Sequence, residues 1–99
     1  MNLNEITKRV DELAQKSPGD MESIVKFVFD DGCVRVEDTV TPPDVSNKNE
    51  DAHCTITLSN ETFTQLLNKE TSSMDVFMSG KMKIDGDMTV AMKLSSIFG

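Results

Sequence analysis

The stretch Phe77-Met78-Ser79-Gly80-Lys81-Met82-Lys83-Ile84-Asp85-Gly86-Asp87, continued by Met88-Thr89-Val90-Ala91-Met92-Lys93-Leu94-Ser95-Ser96-Ile97-Phe98, decides the fold. Lys81 to Asp85 alternates charged and apolar side chains, so a strand there puts Met82 and Ile84 on one face and Lys81, Lys83 and Asp85 on the other. Gly86 permits a sharp turn, and Asp87 can accept hydrogen bonds from the first free amides of a helix. An apolar run starting at Met88 then predicts that helix. Val90, Ala91, Leu94, Ile97 and Phe98 share one broad face, which Met88 and Met92 widen, leaving mainly Thr89, Lys93 and Ser96 on the polar side. That is more apolar surface than a helix needs for packing on a sheet. Five of the seven methionines (Met74, Met78, Met82, Met88, Met92) fall in this last part of the chain. Flexible thioethers adapt to partners of irregular outline, and their clustering here points to an apolar cavity.

Working outward, the same residues carry a resemblance. Phe77 to Met88, followed by Ala91-Met92-Lys93-Leu94, resembles the signature of the sterol carrier protein type 2, or nonspecific lipid-transfer protein, family, in a short single-domain form like its bacterial members. Upstream, Ala52-His53-Cys54-Thr55-Ile56-Thr57-Leu58, followed by Asn60 and Phe63, is similar to that family's preceding strand and helix start. The likeness runs from about Ala52 to the end, and the residues before it offer a compatible pattern. It implies an α+β fold whose C-terminal helix borders a lipid tunnel. It also implies broad binding of sterols, fatty acids, fatty acyl-CoA or phospholipids, in some members as one domain of a larger enzyme. This chain departs from the longer peroxisomal members by lacking their first strand, by Thr89 where many have glycine, and by stopping at Gly99 without their final segment. A smaller sheet, a more open cavity and a ligand other than a sterol are expected from those differences.

Ninety-nine residues make one domain, 1–99, with a single core. Neither a signal-peptide pattern nor an apolar run of membrane-spanning length is visible, so a soluble, cytoplasmic protein is expected. Cys33 falls on the charged parity of its strand beside Arg35, whereas Cys54 shares the apolar parity with Ile56 and Leu58. Opposite faces and a reducing compartment both argue against a disulfide. The formal charge of −7, from 17 acidic and 10 basic residues, excludes nucleic acid as a partner, because such binding needs a clustered basic surface. It also disfavours adsorption to anionic lipid, so any transient membrane contact is expected to be apolar. The acidic pairs Asp30-Asp31, Glu37-Asp38 and Glu50-Asp51 read as solvated surface.

In chain order, Asn2 and Glu5 form a capping box ahead of Leu3, Ile6, Val10, Leu13 and Ala14 at helical spacing. Ser17-Pro18-Gly19-Asp20 ends that helix. Val25, Phe27 and Phe29 form the inward face of a strand from Ser23 to Phe29, Asp31-Gly32 turns the chain, and Val34 and Val36 face inward from a second strand, giving an antiparallel hairpin. Thr39 to Asp51, with Pro42-Pro43 and no sustained periodicity, reads as a loop. Cys54, Ile56 and Leu58 mark another strand, Ser59 or Asn60 caps a helix with Phe63, Leu66 and Leu67 on one face, and Met74 to Met78 form a further helical turn. The order is α+β: a small antiparallel or mixed sheet with helices packed on one face.

No catalytic group emerges. His53, the only histidine, lacks the companions a zinc site needs, and on a strand it points away from its neighbour Cys54, so the two make no nucleophile and base. Asp85 and Asp87 belong to a turn and a helix cap, and no phosphate-binding glycine loop is present. The expectation is therefore a non-enzymatic carrier without cofactor or metal. Its lipid ligand lies between the inner sheet face and the final helix, against Phe27, Phe63, Leu67, Phe77, Met82, Ile84, Met88, Met92 and Phe98. The alternative, from another class, makes the apolar final helix a protein interface, in a homodimer or docked on an enzyme, with no lipid.

Overall fold

A computed structural model describes residues 2–16 and 22–98, with the side chains of 94–98 outside the description. The expected stop at 17–20 lies outside the described residues. Asn2 and Glu5 close the anticipated capping box: the Glu5 amide donates to Asn2 Oδ1 at 2.9 Å and the Asn2 amide to Glu5 Oε1 at 3.5 Å. Helix α1 (Leu3–Lys16) follows, burying Ile6, Val10 and Ala14 on one stripe.

Strands β1 (Ile24–Phe29) and β2 (Gly32–Glu37) form the expected antiparallel hairpin, with Phe29 opposite Gly32. The turn is thus Asp30-Asp31, one residue earlier than read, and Gly32 opens the second strand. Asp31 is not merely solvated. Its Oδ2 accepts from the Leu3 amide at 3.0 Å and its Oδ1 from the Asn60 side-chain amide at 3.0 Å, so one carboxylate holds two helix starts to the hairpin turn. The Asn60 side-chain bond, with help from the Leu3 backbone, keeps this carboxyl below the usual carboxylate range. Asp38, also read as solvated, is buried at 4 % exposure, and its amide donates to the Ser23 carbonyl at 3.1 Å.

The segment read as a loop from Thr39 to Asp51 contains a strand, β3 (Asp44–Ser46), paired antiparallel with β2. Three residues give no periodicity to read, and the pairing is set by the neighbouring strand rather than by local preference. Beyond β3 the chain crosses the sheet face opposite α1. There the Cys33 thiol donates to the carbonyls of Asn47 and Lys48, Lys26 Nζ to Asn49 Oδ1 at 3.0 Å, and Arg35 Nε to the Asp51 carbonyl at 3.1 Å. This crossing lays β4 (Cys54–Leu58) parallel to β1. Cys33 is buried beneath it although it sits on the polar parity, and both cysteines are free.

Ser59 caps α2 (Asn60–Leu67) by accepting from the Thr62 amide, and Ser72 caps α3 (Ser73–Met78) by accepting from the Asp75 amide. Strand β5 (Met82–Gly86) pairs antiparallel with β4, and α4 (Met88–Phe98) closes the chain. The sheet is mixed, in the order β3-β2-β1-β4-β5, so it has five strands where the sequence suggested fewer. Ile6 and Val10 of α1, Phe63 and Leu66 of α2, Val76 of α3 and Val90 of α4 join Val25, Phe27, Val34, Val36, Cys54 and Ile56 in one core, which places the helices on one face.

Gly86 sits at φ +112°, and an added Cβ would run into the His53 carbonyl oxygen. Gly86→Ala is therefore expected to lower unfolding stability by about 2 kcal/mol or more in urea titration. For Asp31 the folded pKa is depressed, so its contribution is complete above the ordinary carboxylate value and disappears as pH falls through the lowered one. The gap in urea midpoint between the native chain and Asp31→Asn should accordingly narrow between about pH 5 and pH 2.

Candidate functional site

Between the core face of the sheet and the last three helices the apolar packing is incomplete. A cleft of about 260 Å³ is floored by Phe27 of β1, Ile56 and Leu58 of β4, and Met82 and Ile84 of β5. Phe63 and Leu66 of α2 form its inner wall, Ser73, Met74 and Phe77 of α3 one lip, and Met88, Ala91 and Met92 of α4 the other. Among the described residues Ser73 is the one polar residue in that lining.

The inner wall is rigid. Phe63 is 1 % exposed and meets Phe27 at 5.4 Å and Phe29 at 5.2 Å between ring centroids, tilted by 59° and 76°. Such tilted pairs bring the positive ring edge to the negative face and add about 0.5–1.5 kcal/mol each beyond burial. The lips are different. Val76 is the fully buried side chain of α3 and Val90 that of α4 among the described residues. Met74, Phe77, Met88 and Met92 are instead between 41 and 72 % exposed and line the mouth as an apolar rim, and Met78 on α3, outside the lining, is 76 % exposed. Exposed large apolar groups gathered at one concavity mark a binding surface more than scattered ones do.

The start of α4 is fixed by backbone geometry. The Asp87 amide donates to the His53 carbonyl at 2.9 Å, Asp87 Oδ1 accepts from the Thr89 amide at 2.9 Å, and the Asp87 carbonyl accepts from Ala91 at 3.3 Å. His53 is structural too: its amide donates to the Ile24 carbonyl at 2.9 Å, while Nδ1 accepts from the Ile24 amide at 3.1 Å. It therefore ties β1 to the α4 cap. Burial, and then the carboxylates of Asp87 and Asp85, push the Cys54 thiol above its usual range, a setting that disfavours the thiolate a nucleophile requires. Among the described residues no three histidine, cysteine or acidic side chains gather to hold a metal, and no helix is long and apolar enough to cross a membrane.

Of the nine residues singled out from sequence, Phe27, Phe63, Phe77, Met82, Ile84, Met88 and Met92 line the cleft. Leu67 does not. It follows Leu66, which turns into the core, so about 100° of helical rotation carries Leu67 to a half-buried position at the core margin. The side chain of Phe98 lies outside the described residues, as do those of Leu94 and Ile97. Ile56, Leu58, Leu66, Met74 and Ala91 were missed as lining. Ile56 and Leu58 share the inward parity of the strand beside β5, which was the signal available for them.

Fold and site together define a small α+β domain built around an apolar, half-covered cleft. The chain belongs to the SCP-2 sterol transfer family, whose profile matches residues 4–99. That membership supports lipid binding or transfer in general terms. Among solved structures, the sterol carrier protein domain 2 of Helicoverpa armigera superposes with a TM-score of 0.80 at 22% identity, over 95% of this chain and 83% of that one. Sterol carrier protein 2 from Yarrowia lipolytica, in its apo form, gives 0.65 at 25%, over 98% and 79%. Palmitated SCP2L2 from Aedes aegypti gives 0.62 at 18%, over 97% and 89%. No curated protein matched the sequence.

Wall and rim should respond differently to substitution. Phe63→Ala is expected to cost about 3–5 kcal/mol of unfolding free energy, because it opens a void under three elements. Met74→Gln, at 68 % exposure, should stay within about 0.5 kcal/mol of the native chain in the same urea titration.

Proposed function

We propose that the cleft carries the hydrocarbon part of a lipid without catalysing any change in it. The observation that carries this reading is the pairing of an almost wholly apolar lining with an exposed apolar rim at its mouth. Each methylene withdrawn from water contributes roughly 0.8 kcal/mol, so a chain of several carbons offsets the cost of association. The residues assigned to binding are Phe27, Phe63, Phe77, Met82, Ile84, Met88 and Met92, now with Ile56, Leu58, Leu66, Met74 and Ala91.

The size of the cleft narrows the ligand. At about 260 Å³ it falls just below the ~300–1,000 Å³ typical of small-molecule pockets. That supports a slender acyl chain, from a fatty acid, fatty acyl-CoA or phospholipid, over a rigid sterol nucleus. The palmitate of the Aedes aegypti relative is in keeping with such a ligand. Exchange with a bilayer would proceed by brief apolar contact at the methionine rim, since a net charge of −7 gives anionic lipid no attraction. The cytoplasm is the compartment this reading assumes. The exposure of Met88 and Met92 on α4 favours one competing reading, in which that rim binds protein rather than lipid.

The test is displacement of a fluorescent fatty acid from delipidated protein. Saturable binding is expected, with palmitate competing better than cholesterol and Met74→Gln weakening the probe several-fold while leaving stability intact. Absence of saturable binding, together with lipid-free material on organic extraction of freshly purified protein, would favour the protein interface.

A further inference from the structure

The free edge of β5 carries a pattern that lipid carriage does not use. From Lys81 to Asp87 the chain reads Lys-Met-Lys-Ile-Asp-Gly-Asp, so two lysines before Ile84 are mirrored by two aspartates after it. β5 is the last strand in the sheet order, and Lys81, Lys83, Asp85 and Asp87 are all exposed. Arg35 and Glu37 pair elsewhere in the sheet, at 3.7 Å.

The register settles which backbone groups face outward. Asp87 donates to the His53 carbonyl, and Asp85 and Lys83 stand opposite Thr55 and Thr57. Successive residues of an antiparallel ladder alternate in direction, so Asp85 and Lys83 turn their amides and carbonyls to β4. Met82, Ile84 and Gly86 therefore turn theirs to the open side. An edge of this kind is a template for another strand, and lysines along it ordinarily repel one. Here the charges change sign about Ile84. They repel an arbitrary basic or acidic strand but complement a reversed copy of themselves.

The geometry points to a homodimer in which β5 pairs antiparallel with β5 of a second copy, about a two-fold axis at Ile84, making one continuous sheet. In that register Ile84 exchanges both backbone hydrogen bonds with its own copy, and Met82 and Gly86 pair likewise. Lys83 faces Asp85, and Lys81 faces Asp87, on both sides of the axis. Sliding by two residues in either direction sets Lys83 against Lys83 or Asp85 against Asp85, so charge selects the symmetric register. The arrangement is isologous and closes at two subunits. Directly opposed residues share a face, so both helical layers lie on one side of the joined sheet. Because α4 packs on β4 and β5 together, the strand spacing of ~4.8 Å leaves the two α4 axes about 10 Å apart, within helix-packing distance. A five-residue edge is small beside a standard interface of ~1,600 Å², so the dimer is reversible with concentration.

This inference does not rest on lipid being bound. Sedimentation of the full chain across protein concentration should show a monomer–dimer equilibrium that weakens as salt rises. Lys83→Asp places a carboxylate opposite Asp85, and Asp85→Lys places an amine opposite Lys83; each alone should raise the dissociation constant at least ~tenfold. The double exchange, Lys83→Asp with Asp85→Lys, should restore the dimer. Circular dichroism identifies any variant that fails to fold. For the native chain, amide exchange followed by NMR should show protection growing with concentration at Met82, Ile84 and Gly86 but not at Lys83 or Asp85. A native chain that stays monomeric at millimolar concentration, or a folded double exchange that does not regain dimerisation, would overturn the proposal.

Discussion

The parallel seam between β1 and β4 is the constraint on which the rest of this structure depends. A hairpin of β1 and β2 is local and needs only a tight turn, but a parallel neighbour must arrive by a crossing of the sheet. That crossing is made by residues 47–51, in which the carbonyls of Asn47, Lys48 and Asp51 accept from Cys33 and Arg35 of β2. His53 then locks the arriving strand to Ile24 by two hydrogen bonds. Only with β4 in place is there a floor wide enough for β5, and only with β5 does α4 have a point of departure.

The sheet divides its cover unevenly. α1 lies over β2 and β3 and fills that half with Ile6, Val10 and Ala14, whereas the other half is roofed by α3 and α4, which among the described side chains bury Val76 and Val90. The cleft is the consequence. A protein of 99 residues has little surplus burial to spend on an unfilled volume, and the wall beneath it is built from the mutually packed Phe27, Phe29 and Phe63 rings. A packed aromatic wall beneath an exposed methionine rim gives the cleft a defined inner boundary and an apolar entrance.

Most elements were legible because their periodicities are strong. The alternation in β1, β4 and β5, the capping box before α1 and the glycine–aspartate junction before α4 each agree with local geometry. β3 was not legible, because a three-residue edge strand takes its conformation from its partner. Asp38 was misread, since it is buried, and Asp31, exposed as read, also holds two helix starts that its place in the sequence does not announce. At the site, Phe27, Phe63, Phe77, Met82, Met88 and Met92 reached the cleft, while Leu67 was displaced by one helical step. Ile56 and Leu58 of β4 stand opposite Ile84 and Met82 on the same face, so their parity placed them on the floor although no methionine or phenylalanine marked them.

The mouth of the cleft is made of sulfur as much as of carbon. Leucine at the same positions would be inert, but a thioether that water can reach is open to peroxide, which adds one oxygen and turns a greasy arm into a polar, chiral sulfoxide. Because the tightly packed rings sit behind that fringe and contain no sulfur, oxidative wear would fall first on the entrance and leave the foundation standing.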